Sequence, residues 1–365
     1  MLPLVTSTRL REQFPVLKAL AYLNAGTDGP LPATAVRAVA TELEREAEQG
    51  RAQQHFERRG ELSSDLRSAY ASILGCPAED TALTSCTSEG IAQVIDGLGL
   101  RAGDEVVSSD EEHPGLLGAL AAAHELHGVS IRLVALGAVA EAVGARTKLV
   151  ACSHVGWMSG SLAPAELAEV DVPVLLDGAQ GIGAVPVDVR ALGCDAYAGA
   201  GQKWLCGPDG TGMLHTTPQL RERLAVSRRG YGNLAKPDAG LQAGLHEDAR
   251  RLDSMSLSAE SLACALAGTQ TLGAAGWPVV HERARALAAV LTERLRESGR
   301  EVAPRGDTTL VSFQSPDPPA ERARLAERGV VLRNIPGRPW LRASVGAWND
   351  ESDIERLLDG LASTR

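Results

Sequence analysis

Two stretches, Val172-Pro-Val-Leu-Leu-Asp177-Gly-Ala-Gln180 and Ala198-Gly-Ala-Gly-Gln-Lys203-Trp-Leu-Cys-Gly-Pro-Asp-Gly-Thr-Gly212, decide how the chain is read. The first is a short aliphatic run that ends on a carboxylate. The second is a glycine-rich segment around one lysine. A continuous apolar run of this length, bounded by turn residues, reads as a buried strand. Strands buried on both faces belong to parallel sheets covered by helices.

The pattern extends outward in both directions. Residues 33–73 read as one helix, alanine-rich and charged with few breakers. Residues 80–84 read as a strand that enters a turn at 85–88 and a helix at 89–98. Strands at 105–108, 130–135, 148–153, 172–176 and 212–215 alternate with helical runs at 115–127 and 138–143. Alternation of this kind predicts an α/β fold, a three-layer α/β/α unit with a mostly parallel sheet. The last third reads as a smaller α/β unit. It has helices at 256–272, 279–297, 320–328 and 352–361, and strands at 309–313 and 340–344. The expected division is an N-terminal segment 1–15 packing on the small unit, a large domain 16–255 and a C-terminal domain 256–365.

Composition narrows the class. The chain has 365 residues, 44% hydrophobic and 22% charged, enough to bury a real core. A net charge of −10 without a basic cluster argues against nucleic acid as the main partner. The six cysteines form no C-x-x-C pair, so they read as small buried hydrophobes of a reducing cytoplasm rather than a disulfide or zinc framework. The N-terminus is too short and polar for a signal peptide. No apolar run approaches the roughly 20 residues of a spanning helix, so no membrane role is expected. His124 and His127 lie three apart on a helix without H-E-x-x-H or a third ligand, so no metal is expected.

Functional groups in open α/β sheets gather beyond the carboxyl ends of strands. Ser85–Ser88, His113, His154, Asp177 and Gln180 all follow predicted strands. A carboxylate such as Asp177 can keep a pyridine nitrogen protonated, and a lysine such as Lys203 can form a Schiff base. Those are the two demands that pyridoxal phosphate (PLP) makes of its protein. Read alone, Asp177 is more readily a helix cap and Lys203 a surface loop lysine; the pairing is what points to the cofactor. Thr87 and Ser88 open a helix where free N–H groups and hydroxyls bind phosphate, although plain capping fits the same local sequence. His113 could stack on a flat ring or be an ordinary loop histidine. Arg333 and Arg342, nine apart around a Pro/Gly loop, suit a carboxylate-bearing substrate. Surface placement is the competing reading, more so for Arg333.

These residues, in order, resemble the class-V aminotransferase family of PLP enzymes of fold type I. That group holds cysteine desulfurases, isopenicillin N epimerase-like proteins and cystine/cysteine C–S lyases. The resemblance runs from Tyr22-Leu-Asn24-Ala-Gly…Gly29-Pro-Leu-Pro32 through Glu112-His-Pro-Gly115, Ser153-His-Val-Gly-Trp-Met-Ser-Gly160, Asp177-Gly-Ala-Gln180 and Gln202-Lys-Trp204. It ends at Leu341-Arg-Ala-Ser344…Trp348-Asn-Asp-Glu-Ser-Asp-Ile354.

The resemblance implies that Lys203 carries the cofactor and that Asp177 pairs with the ring nitrogen. Gln180 would pair with the ring hydroxyl, and His113 would stack on the ring. Thr87, Ser88 and Gln202 would serve the phosphate, and Arg342, with Arg333 and Asn24, the substrate. It also implies a homodimer with shared sites, in which Ser254 reaches the partner's phosphate. Two departures matter. Ala200-Gly-Gln202 stands where many relatives have Ser/Thr-Gly-His. No cysteine follows Cys264, although the desulfurases carry a nucleophilic one near the C-terminal arginine. The expectation is therefore a PLP-dependent lyase that cleaves the C–S bond of cysteine, cystine or a cysteine conjugate. An aminotransferase, an epimerase or a desulfurase without the loop cysteine is the alternative.

Overall fold

The computed structural model describes residues 9–362. Its first strand, β1, is the short pair Ala21–Tyr22. Two helices follow, α1 (Ala33–Gln49) and α2 (Gln53–Leu74). The single helix expected at 33–73 is thus broken. Gly50 takes a φ of 73° and ends α1, a conformation in which glycine meets no Cβ penalty.

Strand β2 (Thr81–Thr84) leads into helix α3 (Thr87–Gly97), and β3 (Glu105–Ser109) into α4 (Pro114–His127). Strands β4 (Ser130–Val134), β5 (Thr147–Ser153), β6 (Val174–Asp177), β7 (Ala196–Ala200) and β8 (Gly212–Thr216) complete a seven-stranded sheet. Its order is β2-β8-β7-β6-β5-β3-β4, and β8 alone runs antiparallel to its neighbours.

Side-chain alternation along the strands builds both faces. Val107, Val150 and Leu176 enter one core with Leu62, Leu66 and Tyr70 of α2. Their neighbours Val106, Leu149 and Leu175 enter the other, with Ile91 and Val94 of α3 and Leu116 and Leu120 of α4. The large unit is the three-layer α/β/α fold expected, with its mostly parallel sheet.

After α5 (Pro218–Arg223) and a run of short turns come α6 (Ala259–Gly273) and α7 (Trp277–Glu297). Leu262 and Leu266 of α6 join the large core, whereas Leu287, Leu291 and Leu295 of α7 join the small one. A cut at 255/256 therefore separates α6 from the cluster its buried side chains share. The small unit consists of β9 (Leu310–Gln314), α8 (Pro318–Glu327), β10 (Val330–Val331), β11 (Arg333–Asn334), β12 (Trp340–Ser344) and α9 (Glu351–Ala362). The sheet β11-β12-β9 is antiparallel, and β1 pairs in parallel with β10.

Of the segment expected at 1–15, residues 1–8 lie outside the described residues. Arg11 donates to Asp353 at 2.7 Å and to the Trp348 carbonyl at 3.1 Å. No described helix is long and apolar enough to cross a membrane.

Candidate active site

Every strand of the large sheet except β8 points the same way, so their carboxyl ends form one edge. Ser153 of β5 lies beside Asp177 of β6, and Asp177 beside Ala198 of β7. Lys203 follows β7 directly. The sheet register thus brings together the two residues on which the sequence reading turns.

Asp177 is buried, and its Oδ1 accepts from the Ala179 N–H at 2.9 Å. Burial raises its pKa, against the nearby Lys203 charge and the Ala179 bond. Lys203 is lowered to about 8, chiefly by burial. Arg342 and Arg333 push it further down, while Asp177 and Asp28 oppose the shift. The lysine and the carboxylate are both poorly solvated, and burial outweighs their mutual attraction.

His113 caps α4, with Nδ1 accepting from the Gly115 N–H at 3.1 Å. It meets Trp157 edge-on at 5.3 Å. Burial, with Lys203, Arg333 and Arg342, lowers His113 to about 4, so its imidazole is neutral. Its neighbour Glu112 is buried and holds the loop in place. It accepts from the Ser109 and Ser153 hydroxyls and from the Ser153 N–H.

Trp157 links this loop to the small unit. Its carbonyl accepts from Arg342 Nη1 at 2.6 Å, and the Arg342 and Arg333 guanidinium groups lie 5.9 and 5.5 Å from its ring. Arg342 is fully buried, with Nε and Nη2 unpartnered. Those two nitrogens form one edge of the guanidinium, the edge that takes a carboxylate in a two-pronged fork. Burial and then Arg333 lower Arg342 to about 9, so it remains cationic at neutral pH.

The segment after β1 closes the site from above. Asn24 bridges to Ser344, and its Oδ1 accepts from the Thr27 hydroxyl at 2.9 Å. The Gly29 N–H donates to the Gln202 carbonyl at 2.7 Å. A Cβ built on Gly29 would fall 2.0 Å from the Lys203 carbonyl oxygen, so only glycine fits there. Gln180 donates to the Gly26 carbonyl at 2.7 Å and accepts from Trp204 Nε1 at 3.0 Å.

Thr87 and Ser88 stand in the first turn of α3, which begins two residues earlier than expected because Cys86 is its cap. The Thr87 hydroxyl and Gln202 Oε1 are buried without partners. Ser254 is placed differently from the rest. Its hydroxyl donates to the Glu89 carboxylate of its own chain, and its N–H to the Leu83 carbonyl at 2.8 Å.

Trp157, Gly26 and Glu112 belong to the site and were not singled out from sequence. Trp157 sat inside a motif already quoted, and an aromatic after glycine at a strand end was its signal. No group of three or more His, Cys, Asp or Glu side chains that could hold a metal occurs among the described residues.

The residues present fit PLP. Buried Asp177 can face a ring nitrogen, and Lys203, an amine of lowered pKa, lies beside it. An unpartnered hydroxyl and a helix N-terminus await a phosphate.

Comparison with known proteins agrees. The family described as "Aminotransferase class-V" matches residues 21–357. Isopenicillin N epimerase from Amycolatopsis lactamdurans is 28% identical, covering 96% of both chains. A probable cysteine desulfurase from Methanothermobacter thermautotrophicus is 31% identical over 62% of this chain and 60% of its own. The solved cystine C–S lyase C-DES, in complex with its product cysteine persulfide, superposes with a TM-score of 0.90 at 28% identity. It covers 96% of this chain and 99% of that one. A variant of C-DES has been solved with glycine covalently linked to its PLP cofactor.

Proposed function

The chain belongs to the class-V aminotransferase family of PLP enzymes, and from that premise we propose that it is a C–S lyase. Its substrate would be a sulfur-containing α-amino acid: cysteine, cystine or a cysteine conjugate. The observation that carries this reading is Lys203, an amine lowered to about 8 beside buried Asp177, in a site without a serviceable thiol. No cysteine lies beyond Cys264, and the buried Cys206 near Lys203 has its thiol pKa pushed well up by burial. A thiolate is the nucleophilic form of cysteine, so persulfide chemistry on the protein is disfavoured.

Lys203, Asp177, Gln180 and His113 would hold the ring, and Thr87, Ser88 and Gln202 the phosphate. When bound, PLP supplies the electron sink that makes substrate Cα acidic. Arg342 would take the α-carboxylate along its free Nε/Nη2 edge, with Arg333 and Asn24 at the margin. Lys203, about half deprotonated at pH 8 where an ordinary lysine is almost wholly charged, then accepts the Cα proton. The Cα–H electrons form a Cα=Cβ bond as the Cβ–S bond breaks, and sulfur leaves with the electron pair. Lys203 can return its proton to the departing thiolate. The unsaturated amine that is released hydrolyses to pyruvate and ammonia.

Incubation with cysteine, cystine and a cysteine thioether tests the reading, with pyruvate expected in step with the sulfur product. Keto-acid exchange without pyruvate would mark an aminotransferase. The full-length similarity to isopenicillin N epimerases favours epimerisation as a second reading. Cα deuterium exchange without pyruvate would point there.

A homodimer and a cytoplasmic location complete the proposal. Exposed Phe56, Tyr231 and Met255 beside Ser254 support a partner surface, and the six free thiols support a reducing compartment.

A further inference from the structure

Ser344 carries a buried hydroxyl that the chemistry described so far does not use. It lies two residues beyond Arg342 on β12, so both side chains project from the same face of the strand. Both residues are fully buried. The Ser344 hydroxyl has no hydrogen-bond partner, as is true of Arg342 Nε and Nη2. Native interiors rarely leave three polar atoms unpaired in one place unless something else pairs with them.

Gly26 shows that the three atoms serve one spot. A Cβ built there would lie 2.7 Å from Ser344 Oγ and 2.9 Å from Arg342 Nη2. The Ser344 hydroxyl and the Arg342 guanidinium therefore converge beside the Gly26 backbone, packed so closely that only glycine fits there. Gln180 Oε1, 2.9 Å from the same point, is already occupied by the Trp204 N–H. Arg342 Nη1 is likewise held by the Trp157 carbonyl. The donors left free are one guanidinium edge and one hydroxyl. Together they match a planar two-oxygen anion, with the hydroxyl giving one oxygen a second bond.

We propose that Ser344 is a substrate-positioning residue that donates its hydroxyl to the carboxylate held by Arg342. The inference rests on the reading of Arg342 as the carboxylate site, and it adds a second, orienting contact. An oxygen bound by both groups is held against tilting on the guanidinium edge, which narrows the position of Cα relative to Lys203.

The test uses PLP-loaded protein and two inert amines, glycine and methylamine, titrated against the cofactor's visible absorbance. Both present an amine, and only glycine presents a carboxylate. Ser344→Ala is expected to weaken glycine binding about tenfold and to leave methylamine binding unchanged, the loss of one hydrogen bond to a charged group. An equal weakening for both amines would mean structural damage and overturn the proposal, as would unchanged glycine binding. Wild-type protein that binds glycine no better than methylamine would refute the Arg342 reading itself, a result distinct from either of those.

Discussion

Arg333 and Arg342 stand opposite one another across the antiparallel pair β11–β12, with both guanidinium groups over the ring of Trp157. Like charges directly opposite on a sheet repel, and each lowers the site's tolerance for a third cation. An anion between them removes that cost. Arg342→Ala should therefore raise the substrate KM about a hundredfold, the loss of two charge-assisted hydrogen bonds. Arg333 is half-buried, and Arg333→Ala should cost only about three- to tenfold. Steady-state kinetics on the preferred amino acid would measure both.

Lys203 gives the cofactor-free protein a defined pH response. Its folded pKa of about 8 lies below the ordinary lysine value of 10.5. Between those values the unfolded chain holds a proton that the folded chain has released. Stability from this group is therefore lowest below pH 8 and rises as the pH climbs toward 10.5. Lys203→Met should flatten that rise in denaturant melts. Labelling of the wild-type amine by an acylating reagent should show a midpoint near pH 8.

Glu112 responds with the opposite sign. Burial raises it from 4.5 to about 7, against three hydrogen bonds from Ser109 and Ser153. Between pH 4.5 and 7 the folded state binds the extra proton. The contribution is thus complete below 4.5 and is lost as pH rises through 7. Glu112→Gln keeps the shape and carries no charge, so its melting temperature should change less across that window than the wild type's. Melts at closely spaced pH values would show the difference.

Gly26→Ala tests the roof of the carboxylate pocket. The new methyl would meet Ser344 Oγ at 2.7 Å and Arg342 Nη2 at 2.9 Å, too close for either to stay. Amino-acid affinity should fall about tenfold or more, the cost of over-packing a filled site. PLP binding, read from its absorbance, should fall less than amino-acid affinity, because two of the close contacts fall on Ser344 and Arg342 and only the third on Gln180.

Much of this was legible in the sequence because the deciding residues end strands. Asp177 was found because an aliphatic run stops on it, and Arg342 because it sits in a strand placed to the residue. Strand β7 was missed because Ala196-Tyr-Ala-Gly-Ala200 has too little bulk to register as a strand. Its small residues let α3 pack close: a Cβ at Gly90 would lie 3.2 Å from that of Ala198. β1, β10 and β11 are two residues each, below any periodicity. Ser254 was expected to face a partner's phosphate, and its hydrogen bond runs to Glu89, a pairing 165 residues apart that no local pattern encodes. Trp157 and Ser344 act through contacts between the two units, which only the folded chain creates.

The pairing of β1 with β10 bears on how the protein is made. Ala21 and Tyr22 find their mates at Val330 and Val331, Asn24 at Ser344, and the Tyr22 carbonyl takes a bond from Asn349. A chain still leaving the ribosome has every strand of its large sheet once residue 216 has emerged, and the last helix of that core, α6, once residue 273 has. It has no carboxylate pocket until residue 344 follows. During synthesis, Lys203 is therefore in place before Arg342 and Ser344, the groups proposed to hold a substrate carboxylate.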